Sequence, residues 1–281
     1  MPKHQPDCSK RWRPSPKPAS PKERNKINGL LTALRFLTVI PAPGKRELNA
    51  RALGRALPFF PVVGIFIGAL LSGLNWLLRL ILPRSVVSAL LILSLTLITG
   101  GLHLDGFADT CDGMAGHKTP EARLAIMKDS HVGAFGVAGI TLLILIKYLS
   151  LNSLPEAVLN QTLLVFPLVS RWLMVYAIFT YPYARAEGLG KTFKEGVTGT
   201  KFLLATVISL TTVFLTAGFA GLLLMGAAAM ITAIFAYYLK RRLGGLTGDS
   251  YGAINEIAEV TTVISTLVLF RLVGQGWFNF M

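Results

Sequence analysis

An all-α fold, a polytopic membrane protein with about seven transmembrane helices plus a short interfacial or re-entrant N-terminal helix, is what this sequence predicts. Three observations carry that reading. The chain is 52% hydrophobic with a mean hydropathy of +0.56, far more apolar than a soluble domain. Its apolar residues come in runs near the twenty or so that cross a hydrocarbon core. Its net charge is nevertheless +14, and a chain of this kind carries such charge in its loops. The two cysteines, Cys8 in a polar tail and Cys111 among aspartates, make no structural disulfide.

Residues 1–28 read as a basic disordered tail. Lys3, Lys10, Arg11, Arg13, Lys17, Lys22, Arg24 and Lys26 stand there with several prolines and almost no large apolar side chain, so the segment cannot bury a core. It lacks the apolar stretch of a secretory signal peptide. A polybasic segment before membrane spans is a topology signal and a contact for anionic lipid. Residues 29–281 form a single transmembrane domain. Its first piece, 29–40, is apolar but too short to cross and is closed by Pro41 and Pro43, hence the interfacial helix. Spans are then expected at 58–82, 85–104, 132–151, 157–180, 202–219, 221–239 and 260–278.

Threaded with the tail inside, these spans put the loops 41–57, 105–131, 181–201 and 240–259 on the cytoplasmic side. Those loops hold fourteen Lys or Arg, beginning with Lys45, Arg46, Arg51 and Arg55, whereas the short loops opposite offer Arg84 with Arg79 near by. The positive-inside rule selects this orientation, which brings every long polar loop to one face. The expected location is therefore the cell inner membrane, with the active site facing the cytoplasm.

The first chemical motif is GGLHLDGFADTCDG at 100–113, continuing to Asp129. At 100° per residue, Asp105, Asp109 and Asp112 share a helical face roughly 60° wide. Three anions that close repel unless a cation sits among them. Oxygen-only ligands favour Mg²⁺ or Mn²⁺ over zinc, and such an ion commonly holds phosphates. A solvated acidic helix end, favoured by the helix dipole, is the alternative. His103, His117 and His131 lack zinc spacing with Cys111, and a single loop histidine is usually solvated. His131, beside Gly133, is the best phosphate donor of the three.

Ser170 and Arg171 begin the second motif, which continues into YARAEGLG at 183–190. Arg171 would cost about 3 kcal/mol at a bilayer centre and should face a polar cavity or a carboxylate. Arg185, Lys191 and Lys194 can serve phosphate or simply mark an inside loop. Lys147 falls mid-span, where snorkelling or an ion pair is as good a reading as chemistry. The third motif is LGGLTGD at 243–249, with Glu256 and Glu259 beyond it. Asp249 and Glu256 share a helical face and offer ligands or a general base, while Thr247 to Asp249 also reads as a helix cap.

Together with IMKDSHVG at 126–133, these motifs resemble the cobalamin synthase family, the adenosylcobinamide-GDP ribazoletransferases. The likeness runs over about residues 29–270. Two departures stand out: the basic N-terminal extension, and His131 where this family often has Arg. The resemblance implies an Mg²⁺-dependent membrane enzyme that joins adenosylcobinamide-GDP to α-ribazole or its 5′-phosphate, releases GMP and completes the nucleotide loop of adenosylcobalamin. In that frame Asp105, Asp109, Asp112 and Asp129 are the expected metal ligands. Asp105, Asp109, Asp112, Asp249 and Glu256 are the expected catalytic residues, and Arg171, Arg185, Lys191, His131 and Lys128 the phosphate and substrate contacts. The expected partners are the two substrates, the lipid bilayer and a second copy of the chain, with no nucleic acid.

Two rivals remain. A CDP-alcohol phosphotransferase also uses membrane-face aspartates, but its Ala-Arg after the first Asp pair and its closing Asp-x-x-x-Asp are not matched. A divalent-cation transporter would hold acids near the midplane, whereas most of these lie at span ends and in loops.

Overall fold

The computed structural model describes residues 21–43, 50–116 and 119–274. Tail residues 1–20, Lys45 and Arg46 of the expected basic loop, His117, and the end of the last expected span (275–278) lie outside the described residues. Among the described residues the regular structure is helical, apart from an isolated bridge between Tyr183 and Leu246. The helices are α1 (Pro21–Leu37), α2 (Ala50–Ala56), α3 (Phe60–Leu78), α4 (Arg84–Thr99), α5 (Leu102–Met114), α6 (Pro120–Ile126), α7 (Ala134–Ser153), α8 (Glu156–Thr180), α9 (Leu189–Gly196), α10 (Gly199–Leu243) and α11 (Gly248–Val273). Helix α1 thus takes in residues 21–28, which composition assigns to the tail.

Five helical runs are long and apolar enough to cross a membrane, and the bent pair α4–α5, taken as one span, supplies a sixth. One of the five, α10, has 45 residues, about 67 Å at 1.5 Å per residue and far more than a core of ~30 Å needs. It is interrupted at Ala217 (φ −141°, ψ 15°) and Gly218 (φ 51°, ψ −146°). A Cβ on Gly221 would stand 2.9 Å from a Val213 methyl eight residues back, so the chain reverses there. The C-terminal half of α8 meets both limbs, through Trp172 Nε1 donating to Thr206 Oγ1 (3.0 Å) and Tyr181 Oη to the Ala233 carbonyl (3.3 Å). With its two arms counted apart, the six become the seven that the hydropathy predicts.

The last span departs from expectation. Helix α11 starts at Gly248, capped by Thr247 Oγ1, which accepts from the Ser250 N–H (3.1 Å), and not at 260. The Thr247 cap reading is therefore the observed one, and Asp249, Glu256 and Glu259 all lie within the helix.

The centre of the bundle is α8, whose apolar stretch is 78% buried against 28% for α7. It packs on α3, α10 and α11. Lipid tails are as apolar as leucine, so close van der Waals packing must hold such helices together. Gly64 and Gly68 of α3 permit it: a Cβ there would lie 2.5 Å from the Pro167 carbonyl and 2.7 Å from the Leu163 carbonyl of α8. Leu142, Leu145 and Leu149 of α7, with Leu203, Leu215 and Ile234 of α10, stay exposed, as a lipid-facing rim requires.

Two features position the site. Gly100 and Gly101, at φ 62° and 70°, follow α4 in the left-handed region that only glycine enters freely. The chain there turns 92°, and α5 packs on α7 and α11, with Phe107 against Leu143, Ala253 and Val260. Its inner face buries His103, Gly106, Phe107, Thr110 and Gly113. Deeper, Lys147 of α7 lies 2.5 Å from both Glu256 and Glu259 of α11. Arg171 of α8 pairs with Glu259, and Asn255 donates to the same carboxylate (3.1 Å). Two cations and two carboxylates thus close on one another, all buried. This neutral arrangement is what makes charge tolerable among apolar helices.

Candidate active site

Three sequence-distant motifs meet at one end of the bundle. A Cβ on Gly106 of α5 would stand 2.8 Å from the Asp249 carbonyl oxygen of α11, and one on Gly252 would stand 3.1 Å from that of His103. The two helices are in backbone contact at glycine, which carries the α5 aspartates to the start of α11. The segment 181–188 is then stitched to the start of the third motif: Ala184 N–H donates to the Leu246 carbonyl and Leu246 N–H to the Pro182 carbonyl, both at 2.8 Å. That bridge brings Arg185 Nη2 to 2.8 Å from Asp249 Oδ2.

Between these elements lies a cavity of about 250 Å³. Its mouth carries Asp105, Asp249 and Arg185, and its walls are Phe36, Phe60, Met174, Ile178 and Phe193, with Tyr183, His103 and Tyr251 beside them. Arg185 is ion-paired with Asp249 through Nη2, while its Nε makes no hydrogen bond. A guanidinium so placed can still take an anion. Asp109 stands near the same carboxylates. The charges of Asp249, Asp105, Arg185 and Asp112 all act on it. Carboxylates therefore outnumber cations at this mouth, the reverse of the closed cluster below.

Asp112 has another role. Its Oδ2 accepts from the Gly133 N–H (2.7 Å) and its Oδ1 from the Gly136 N–H (2.9 Å), capping α7. A Cβ at either glycine would come within 2.4 Å of that carboxylate. The helical-face arithmetic correctly groups Asp112 with Asp105 and Asp109 but cannot foresee a partner some twenty residues later.

Other expected site residues lie away from the cavity. Glu256 and Arg171 do not reach a phosphate or a proton at the mouth: both belong to the buried cluster, because an unpaired charge at that depth costs too much. Lys191 Nζ donates to the Ala186 carbonyl (2.6 Å), and Lys194 to those of Ile178 and Phe179 (3.0 and 2.8 Å), closing the end of α8. Asp129 pairs with His131 at 2.7 Å on an exposed turn where Lys128 also points outward. Conversely, the sequence reading treats His103 as a solvated residue, and it is 2% exposed beside the cavity. Tyr183, which opens the second motif, and Tyr251, two residues past the third, receive no role from the sequence. Their only signal is adjacency to glycine-rich turns, which does not tell a lining residue from core.

Among the described residues, no three His, Cys, Asp or Glu side chains stand ready as a metal cage. That donor set still suits Mg²⁺, which keeps several waters and is commonly bound by one or two carboxylates together with substrate phosphates. Asp105 and Asp109 fit that part. Asp112 is engaged at α7, and Asp249 faces Arg185.

Residues 29–268 match the family model described as cobalamin-5-phosphate synthase. A protein of Geotalea daltonii named adenosylcobinamide-GDP ribazoletransferase is 39% identical over 237 residues, which is 84% of this chain and 96% of that one. Relatives of the same name from Desulfitobacterium hafniense (38% over 85% of this chain and 96% of theirs) and Roseiflexus sp. (35% over 84% and 88%) are similar throughout. No solved structure matches the chain.

Proposed function

This chain belongs to the cobalamin-5-phosphate synthase family, and from that premise we propose that it is an adenosylcobinamide-GDP ribazoletransferase, completing the nucleotide loop of cobalamin. The observation that carries the reading is the meeting of three separated motifs around one cavity whose mouth holds clustered carboxylates and the Arg185 guanidinium, paired with Asp249. A hydroxyl of the acceptor ribose attacks the corrinoid-side phosphorus of the pyrophosphate. A new P–O bond forms, the P–O bond to GMP breaks, and the hydroxyl proton passes to a carboxylate.

In this scheme Asp249, at the cavity edge, takes the proton, and Arg185 swings from it to steady the phosphate oxygens. Asp105 and Asp109 hold Mg²⁺, which when bound would offset charge on the pyrophosphate. The mouth faces the cytoplasm of the inner membrane. Arg51, Arg55, Arg123, Arg185, Lys201 and the run Lys240–Arg242 lie at its end of the bundle, against Arg79, Arg84 and Arg271 at the other. The closed neutrality of Lys147, Arg171, Glu256 and Glu259 speaks against the transporter reading, which needs available acids at mid-depth. GMP release from adenosylcobinamide-GDP and α-ribazole, with and without Mg²⁺, tests the whole: no release under either condition would reject it.

A further inference from the structure

The cavity is divided in character along its depth. Its charged groups stand at the mouth, while farther in an aromatic cluster forms the wall, with the Phe193 ring centroid 4.7 Å from that of Phe36 and 5.6 Å from that of Phe60. Against this apolar wall stand two buried polar side chains. Tyr251 is 3% exposed and His103 is 2% exposed, and neither the Tyr251 hydroxyl nor either ring nitrogen of His103 has a hydrogen-bond partner. Buried side-chain groups are paired in nearly all proteins, so several orphans around one cavity mark positions that a ligand completes. Both residues stand two positions from a mouth carboxylate, Asp249 and Asp105.

We propose that the inner cavity is the acceptor subsite: it takes the flat, mainly apolar base of the acceptor nucleoside, with Tyr251 and His103 hydrogen-bonding its polar edge and its ribose reaching back to the mouth. This rests on the transferase reading above. Size supports it. A cavity of about 250 Å³ lies just under the ~300–1,000 Å³ of drug-sized pockets, enough for a nucleoside base and too small for a corrin macrocycle. Chemistry separates the two nucleosides of the reaction. Guanine presents N–H donors on its edge and calls for carboxylate or carbonyl acceptors, and the carboxylates lining this cavity belong to the mouth. A base that is mostly carbon needs aromatic walls and one or two hydrogen-bonding groups, which is what the interior offers.

The test uses the full chain in nanodiscs, with α-ribazole binding measured by equilibrium dialysis in the absence of donor and Mg²⁺, and the two Michaelis constants measured separately. Tyr251→Phe removes one oxygen and leaves the ring in place. It should weaken α-ribazole binding about five- to tenfold and raise the acceptor KM equally, leaving the KM for adenosylcobinamide-GDP unchanged. His103→Phe should act the same way; if it fails to fold, Tyr251→Phe carries the test alone. The proposal is overturned if wild-type protein does not bind α-ribazole, if GMP displaces it competitively, or if Tyr251→Phe moves the donor KM instead. Binding that depends on Tyr251 in a protein that never releases GMP would keep the subsite and reject the transferase reading.

Discussion

Two concentrations of charge sit in an otherwise apolar chain, and they differ in balance and in access. Lys147, Arg171, Glu256 and Glu259 are buried, equal in sign count and closed on one another. At the cavity mouth, Asp105 and Asp249 stand with Arg185, and Asp109 lies within reach of their charges. A balanced cluster has satisfied its own field and serves to tie α7, α8 and α11 together. An excess of carboxylate at an opening is incomplete without a cation and an anionic ligand. Charge count around a site therefore separates scaffold from chemistry better than residue type does, since both clusters are built of carboxylates and basic side chains.

The comparison can be broken by substitution, and the largest effect is expected in the closed cluster. Glu259→Ala leaves Arg171 and Lys147 short of a partner and should cost about 3–5 kcal/mol of stability, seen as lost folded protein in the membrane; replacing Lys147 by Met in the same chain should recover part of it. Asp109→Asn should do the opposite, leaving the protein folded and membrane-inserted while GMP release falls by at least about a hundredfold. Normal turnover in that variant would remove Asp109 from the chemistry.

Adding Mg²⁺ at a hundred times its dissociation constant should stabilise the wild type by about 2.7 kcal/mol, read as a rise in Tm. Most of that rise should vanish in Asp109→Asn, and an equal shift in both would place the ion elsewhere. The smallest change is expected from Asp112→Ala. Loss of the α7 cap should cost about 1–2 kcal/mol, visible as faster amide exchange at Gly133 and Gly136, and a larger fall in turnover than in stability would restore Asp112 to the ligands.

Much of this was legible beforehand. The crossings were placed within a few residues for α7 and α8, because a lipid-facing or buried helix must be apolar over its whole length. Helix α11 was begun twelve residues late because Asp249, Glu256 and Glu259 depress its hydropathy, and their partners Arg185, Lys147 and Arg171 stand on other elements. The α5 aspartates were grouped correctly by periodicity, yet Asp112 was given a metal where the fold supplies the N–H groups of α7.

What the amino-acid sequence determined alone was periodic or local: the wholly apolar crossings, the shared face of Asp105 and Asp109, the glycines after α4, and the family to which the motifs belong. The tertiary structure decided which charges meet. An ion pair, a helix cap or a cavity wall is made by residues tens of positions apart, and their distance follows from the 92° turn at Gly100 and Gly101 and the glycine contact of α5 with α11, which no spacing in the chain encodes.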